Sequence, residues 1–182
     1  YDERKLFGTN YGYRSSLNKS MVSHLKEKKD LLIKTAKPKK NDSILDIGSN
    51  DGTLLNLFSN QIKKNDVDPT AKKFIKYYQK DIKIIPKIFK KGIFNKSKKF
   101  KIITSVAMFY DLRDPLNFCK QVESNLEKDG IFHVEVAYLP DILKLFSFDT
   151  FCQEHLTYFS FISFDYLINQ TNLKIIDYRR NK

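Results

Sequence analysis

Two rhythms of apolar residues share this chain. Short apolar runs of strand length occur at residues 44–47, 82–85, 102–106 and 131–136. Between them apolar residues recur every three or four positions. Met21, Leu25, Leu31 and Leu32 line one side of a helix expected from Asn18 to about Pro38. The repeat from Thr53 to Phe58 predicts a helix to about Ser59, and Phe74, Ile75 and Tyr78 point inward from one over 71–79. A brief second strand, poor in apolar residues apart from Ile62 and Val67, fits 61–68. Asp114 and Pro115 supply an N-cap and a first helical residue, and Leu116, Phe118, Cys119, Val122 and Leu126 line the helix that follows. Asp129-Gly130 turns the chain into strand five. A last helix is expected near 164–170 and a sixth strand over 173–178. Strand and helix in alternation predict an α/β fold, a doubly wound and mostly parallel sheet.

Composition narrows this picture only in part. A length of 182 residues with 41% hydrophobic content suits one domain with a sizeable core. No apolar run approaches the ~20 residues of a membrane span. Cys119 and Cys152 lie in unrelated contexts, which argues against a disulfide framework or a cysteine zinc site and fits a reducing cytoplasm. The net charge of +12 invites a nucleic-acid reading. Against it, only Arg4, Arg14, Arg113, Arg179 and Arg180 among the 33 basic residues are arginine. A surface built for bases uses arginine for bidentate contacts, so the lysines read as solvated faces whose field favours an anionic substrate.

The most informative stretch is Ser43-Ile44-Leu45-Asp46-Ile47-Gly48-Ser49-Asn50-Asp51-Gly52, a strand, a tight glycine turn and the start of a helix. Such a turn lets a ligand reach bare backbone N–H groups. The dinucleotide fingerprint wants three glycines at positions held here by Gly48, Asn50 and Thr53, so it fits badly. Asp46 and Asp51 stand where a cationic ligand finds partners. Asp68, twenty positions after Gly48, suits hydrogen bonding to ribose hydroxyls. Ala107-Met108-Phe109-Tyr110 sits at the carboxyl end of strand four, the edge where ligands bind in open α/β sheets. The Tyr- and Ser-rich stretch around Tyr11, Tyr13, Ser15 and Ser16 suits a ligand lid or an ordinary packed arm. The insertion at 137–162 is dense in Glu, His, Tyr and hydroxyls. Within it Glu154 and His155 are candidate partner and base. His24 and His133 read as structural.

The pattern Asp46-x-Gly48-x-Asn50-x-Gly52 resembles the first motif of class I S-adenosylmethionine-dependent methyltransferases, with Asn50 in place of the usual middle glycine. The stretches Tyr11 to Met21, Leu45 to Leu55, Asp68-Pro69-Thr70, Met108 to Leu112, Glu135 to Pro140 and Phe148 to Ser160 together resemble the sugar C-methyltransferases that act on nucleotide-linked keto-sugars. The Glu154-His155-Leu156-Thr157-Tyr158 stretch is the most specific of them. The resemblance implies a Rossmann-like sheet of the class I type, here without its final antiparallel strand. It implies S-adenosylmethionine as cofactor, held by Asp46, Gly48, Asn50, Asp51, Gly52, Asp68, Ala107 and Met108, with Ser15 and Ser16 from the arm. It implies methyl transfer to the carbon next to the ketone, with His155 as base and Glu154, Tyr11, Tyr13 and Tyr158 assisting enolate formation. No metal, nucleic acid or membrane is expected in the reaction. Residues 1–40 then form an arm and helix contributing to the active-site lid, and 41–182 the methyltransferase domain with its insertion at 137–162. Relatives carry a zinc domain upstream and a nucleotide-sugar domain downstream, expected here from another segment or chain. They commonly have His where Gln153 stands, and glycine where Asp66 stands. A small-molecule O- or N-methyltransferase and a cofactor-binding module without catalysis are the alternative functions.

Overall fold

A computed structural model describes residues 11–95 and 97–181. The lid assigned to residues 1–40 therefore lies partly outside the described residues, over its first ten positions. The chain forms two compact units. The first runs to Val106 and takes in Asn125–His133; the second is Ala107–Ser124 together with the chain from Val134 onward.

In the first unit, helix α1 (Lys19–Ala36) starts at Asn18, whose side chain accepts from the Ser20 and Met21 amides. It stops at Lys37, which turns left-handed at φ 46 just before Pro38. Leu25, Leu32 and Ala36 form its buried stripe. Strand β1 (Ser43–Ile47) is buried along its whole length. Helix α2 (Thr53–Asn56) follows the glycine turn, then β2 (Lys63–Val67), α3 (Ala71–Phe74), β3 (Ile82–Ile85) and β4 (Phe100–Val106). The strand order is β3-β2-β1-β4-β5, with β5 at Leu126–Glu135. The pairs β1–β2, β1–β4 and β2–β3 are parallel, and the register sets Asp46 opposite Asp66 on one side and Thr104 on the other. The fold class expected from the alternation is thus the one found. Ile44, Ile102, Leu54, Leu55, Phe58, Ala71 and Phe74 make the core.

Several boundaries differ from the expectation. The helix after the glycine turn ends at Asn56, because the chain must bend back to place Ile62 in the core before β2. The helix expected to Gln79 tightens into a 3-10 turn over Ile75–Tyr77, and Tyr78 then turns inward. Strand β5 begins at Leu126, so Asp129-Gly130 lies within it and not in a preceding turn. Strand β2 is buried despite its polar sequence. Its Lys64 ammonium is sheltered from water and reaches Asp81 at 2.9 Å and Gln79 Oε1 at 2.8 Å. No helix among the described residues is long and apolar enough to cross a membrane.

The second unit holds α4 (Pro115–Asn125, its final residue in the first unit), α5 (Leu139–Lys144) and α6 (Phe161–Ile168). Asp114 caps α4 through the Asn117 amide at 2.9 Å, as the Asp-Pro pair predicts. Phe109 is fully buried, with the rings of Phe118, Phe159 and Phe164 at 5.6, 5.4 and 5.5 Å. The insertion returns on itself through a bridge of Tyr138 to Phe159. A capping box between Ser160 and Ser163 starts α6 three residues before the expected position. The sixth strand expected at 173–178 is not formed. That segment has the apolar residues of a strand, but a strand exists only when hydrogen-bonded to a neighbour, and none pairs with it among the described residues.

Candidate active site

The first unit builds a cradle where β1 and β2 end. Gly48, Asn50 and Gly52 are all left-handed, at φ 78, 59 and 75. Glycine is required at position 52, since a Cβ there would fall 2.6 Å from Cδ1 of Tyr78. Tyr78 supports the turn from below and donates its hydroxyl to the Asn50 carbonyl at 2.9 Å. Asp68 closes the far side: Oδ2 accepts the Asn50 amide at 2.7 Å, and Oδ1 accepts the Thr70 amide at 2.5 Å and hydroxyl at 2.6 Å. Oδ1 accepts twice from Thr70, but Oδ2 keeps a second lone pair, through which Asp68 can still accept from a ligand hydroxyl.

Three carboxyl groups lie on this sheet segment. Burial pushes Asp46 up to about 6, against the hydrogen bond that Thr104 Oγ1 donates to it at 2.6 Å. Burial also lifts Asp68 above its ordinary value despite its bonds to Thr70 and Asn50. Asp66 has no exposed surface, and neither of its oxygens meets a hydrogen-bond partner. Burial, with the negative fields of Asp68 and Asp46, pushes it up to about 9, so it is neutral at pH 7. Asp51 goes the other way. Burial alone would raise it, but hydrogen bonds from Ser16 and Thr53 hold it below the usual carboxylate range.

The arm reaches this cradle. Ser15 and Ser16 donate backbone amides to Asn50 Oδ1 and Asp51 Oδ2, at 3.0 and 3.1 Å. Tyr11 is held by Lys73, whose ammonium donates to its carbonyl at 2.7 Å, and Tyr13 is nearly half exposed. Thr70, in the Asp68-Pro69-Thr70 stretch read from the sequence, bonds Asp68 two residues before it, whereas Thr104 and Tyr78 were not legible as parts of the candidate site. Their roles depend on strand register and on a turn that ends with a ring pointing inward, neither of which leaves a local motif.

The second unit carries the imidazole. The Nδ1 of His155 lies 2.8 Å from the Thr150 carbonyl oxygen. A carbonyl only accepts, so Nδ1 carries the proton and Nε2 is the basic nitrogen of the neutral ring. Tyr110 packs on the imidazole with ring centres 4.2 Å apart, and its carbonyl accepts the Leu156 and Thr157 amides at 2.9 and 3.1 Å. Tyr158 donates to the same Thr150 oxygen at 3.3 Å. The residue that orients His155 is thus Thr150, through its backbone. The negative field of Glu154 acts on Asp111, which burial first and Glu154 second push up to about 7. Ala107 is left-handed at φ 53 and donates its amide to the Glu135 carbonyl at 3.0 Å, with Met108 following as the residue before a 3-10 turn. Cys152, whose carbonyl accepts the His155 amide at 3.2 Å, is exposed. Cys119 is buried on α4, and its thiol is pushed up to about 12.

Comparison with known proteins supplies a family and a fold. The methyltransferase-domain family matches residues 21–178. The chain is 29% identical over 177 residues to the C-methyltransferase NovU of Streptomyces niveus, covering 94% of this chain and 42% of NovU. It therefore spans less than half the length of that curated relative. The YcgJ protein of Bacillus subtilis superposes with a TM-score of 0.66 at 20% identity, over 81% of this chain and 67% of that one. The plantazolicin methyltransferase BpumL, solved with S-adenosylhomocysteine (SAH) and a desmethyl plantazolicin analogue, gives 0.62 at 16% identity, over 81% and 61%. The cradle fits such a cofactor: backbone bared by left-handed residues, a carboxylate at the end of β2, and no room for a Cβ at position 52. The chain belongs to the methyltransferase-domain family, whose methyl donor is S-adenosylmethionine.

Proposed function

We propose that this chain is the methyl-transfer domain of a C-methyltransferase acting on the carbon next to the ketone of a nucleotide-linked keto-deoxysugar. The observation that carries the reading is the hydrogen bond from His155 Nδ1 to Thr150, which fixes the tautomer a carbon-acid base needs. The likeness to NovU supports it. S-adenosylmethionine, when bound, supplies an electrophilic methyl group. Gly48, Asn50 and Gly52 would offer it backbone, Asp68 would accept its ribose hydroxyls, and Asp46, Asp51, Ala107, Met108, Ser15 and Ser16 would complete the surroundings. His155 Nε2 would take the proton next to the ketone, and the imidazolium formed would share its other proton with the Thr150 carbonyl. The hydroxyls of Tyr11 and Tyr13 are the candidate donors to the enolate oxygen, and Tyr158 would join them by turning its single proton from the Thr150 carbonyl to the substrate. Glu154 would favour the cationic ring. Zinc and nucleotide-sugar domains are supplied by another segment or chain, and the reaction takes place in the cytoplasm without nucleic acid.

Deuterium wash-in tests this directly. The chain, saturated with SAH, is mixed in D2O with a nucleoside diphosphate keto-deoxysugar, and loss of the α-proton signal is followed by NMR. Wild type is expected to exchange it, and His155→Asn to slow exchange by roughly 100-fold or more. SAH binding without any exchange would favour an O- or N-methyltransferase or a cofactor module instead.

A further inference from the structure

Asn50 spends both ends of its carboxamide on the arm. Its Nδ2 donates to the Tyr13 carbonyl at 3.0 Å, and its Oδ1 accepts the Ser15 amide at 3.0 Å. Asp51, one residue later, gives one oxygen to the arm and the other to Thr53. Its Oδ2 accepts the Ser16 amide at 3.1 Å and stands 3.6 Å from Arg14 Nε, while its Oδ1 accepts the Thr53 hydroxyl at 2.5 Å. The Arg14 guanidinium lies 3.5 Å above the Tyr77 ring centre and donates to Ser16 Oγ at 2.9 Å. The bonds from the Ser15 and Ser16 amides each join residues 35 positions apart in sequence. The amides of Gly48, Asn50 and Gly52 are bonded to the Val67 carbonyl, Asp68 Oδ2 and the Ser49 carbonyl, so a ligand on the turn meets it by close approach to left-handed backbone, and none of the arm contacts uses these groups.

The backbone of Asn50 makes a separate argument. At φ 59 the position is one that glycine takes freely and asparagine merely tolerates. A turn that needed only its backbone would be served by glycine. What glycine lacks is the carboxamide, and the carboxamide goes to the arm.

We propose that Asn50 and Asp51 are positioning residues, a clasp that couples the arm carrying Tyr11 and Tyr13 to the methyl-donor cradle. The backbone of the turn serves the donor and its side chains serve the arm, so filling the cradle stiffens the clasp and sets the two tyrosines for the acceptor. The donor then binds first and the acceptor second. This rests on the reading of the crossover as the donor site.

Amide hydrogen exchange at Ser15 and Ser16, measured on the full chain with and without SAH, tests the coupling. SAH is expected to slow both amides in wild type. Asn50→Gly keeps the left-handed backbone but removes the carboxamide, and because coupling is reciprocal it is expected to weaken SAH binding by no more than the factor by which SAH slows the arm amides in wild type. It should speed exchange of both amides roughly 5- to 100-fold, the loss of two ordinary hydrogen bonds, and should abolish the effect of SAH on them. A second variant works from the arm side. Arg14 is extended at φ −139 and ψ 124, as a residue before proline must be, and Ser15 opens a 3-10 turn. Ser15→Pro therefore deletes one donor without bending the chain, and Ser16 is expected to exchange faster in it. Arm amides that are unchanged in both variants, or that ignore SAH in wild type while SAH binds, would overturn the coupling alone. Wild type that fails to bind SAH would overturn the donor-site reading and the coupling with it.

Discussion

Asp66 gains nothing from ionising where it sits. Its carboxyl is enclosed, and the nearest charged groups, Asp46 and Asp68, share its sign. An unfolded aspartate titrates near pH ~4, whereas this one titrates at about 9 in the fold. Between those values the native chain holds a proton that the unfolded chain has released. Stability from this group is therefore whole below the unfolded value and is lost as pH rises toward the folded one. Asp66→Asn keeps the shape and removes the titration. Thermal melts should show it more stable than wild type by on the order of 2–4 kcal/mol near pH 7, with the gain vanishing below pH ~4. Gly52→Ala acts on the same turn in the opposite sense. The left-handed backbone costs an L-residue roughly 1–2 kcal/mol, and the new Cβ would strike the Tyr78 ring. A lower melting temperature and loss of SAH binding by calorimetry are expected together.

At the scale of elements, β2 is the instructive strand. Its burial could not be read from its residues, because Lys64, Asn65 and Asp66 look like a surface. Parallel strands are covered on both faces whatever their composition, and here a lysine is paired in place. Asp81→Ala should cost about 1.5–3 kcal/mol in urea melts, the loss of one charge-assisted bond, since the ammonium keeps Gln79 Oε1, Asn60 Oδ1 and the Phe58 carbonyl. Lys64→Met should cost less than about 1.5 kcal/mol, because Asp81 can turn to water. The elements read correctly from sequence are those with strong end signals: the Asn18 cap, the Asp114-Pro115 start, and the apolar runs of β1 and β3. Asn18→Ala should remove about 1 kcal/mol from α1. The elements misread are those whose ends depend on distant partners, as with residues 173–178. The same division holds for the site. Gly48, Asn50, Gly52, Asp68 and His155 were visible because a tight turn, a strand end and a dense insertion mark their own sequence. Thr104, Tyr78 and Thr150 were not, because Thr104 acts across a strand register, Tyr78 through a ring and hydroxyl that reach a turn 28 residues away, and Thr150 through its backbone.

Across the whole molecule, charge and cysteine placement have separate consequences. The excess of +12 is carried mostly by lysines such as Lys72, Lys80 and Lys83, which lie exposed on the first unit. Anisotropy with a random DNA duplex at near-physiological salt should show no saturable binding, since scattered lysines give only the screened, non-specific attraction. The two thiols differ far more than their number suggests. Cys119 is enclosed and holds its proton to about 12, while Cys152 stands in water three residues before His155. A maleimide dye should therefore attach once per molecule and at one address, with no mutagenesis. That dye would sit beside the imidazole as a built-in lamp, and its brightness would register each arrival at the proposed base.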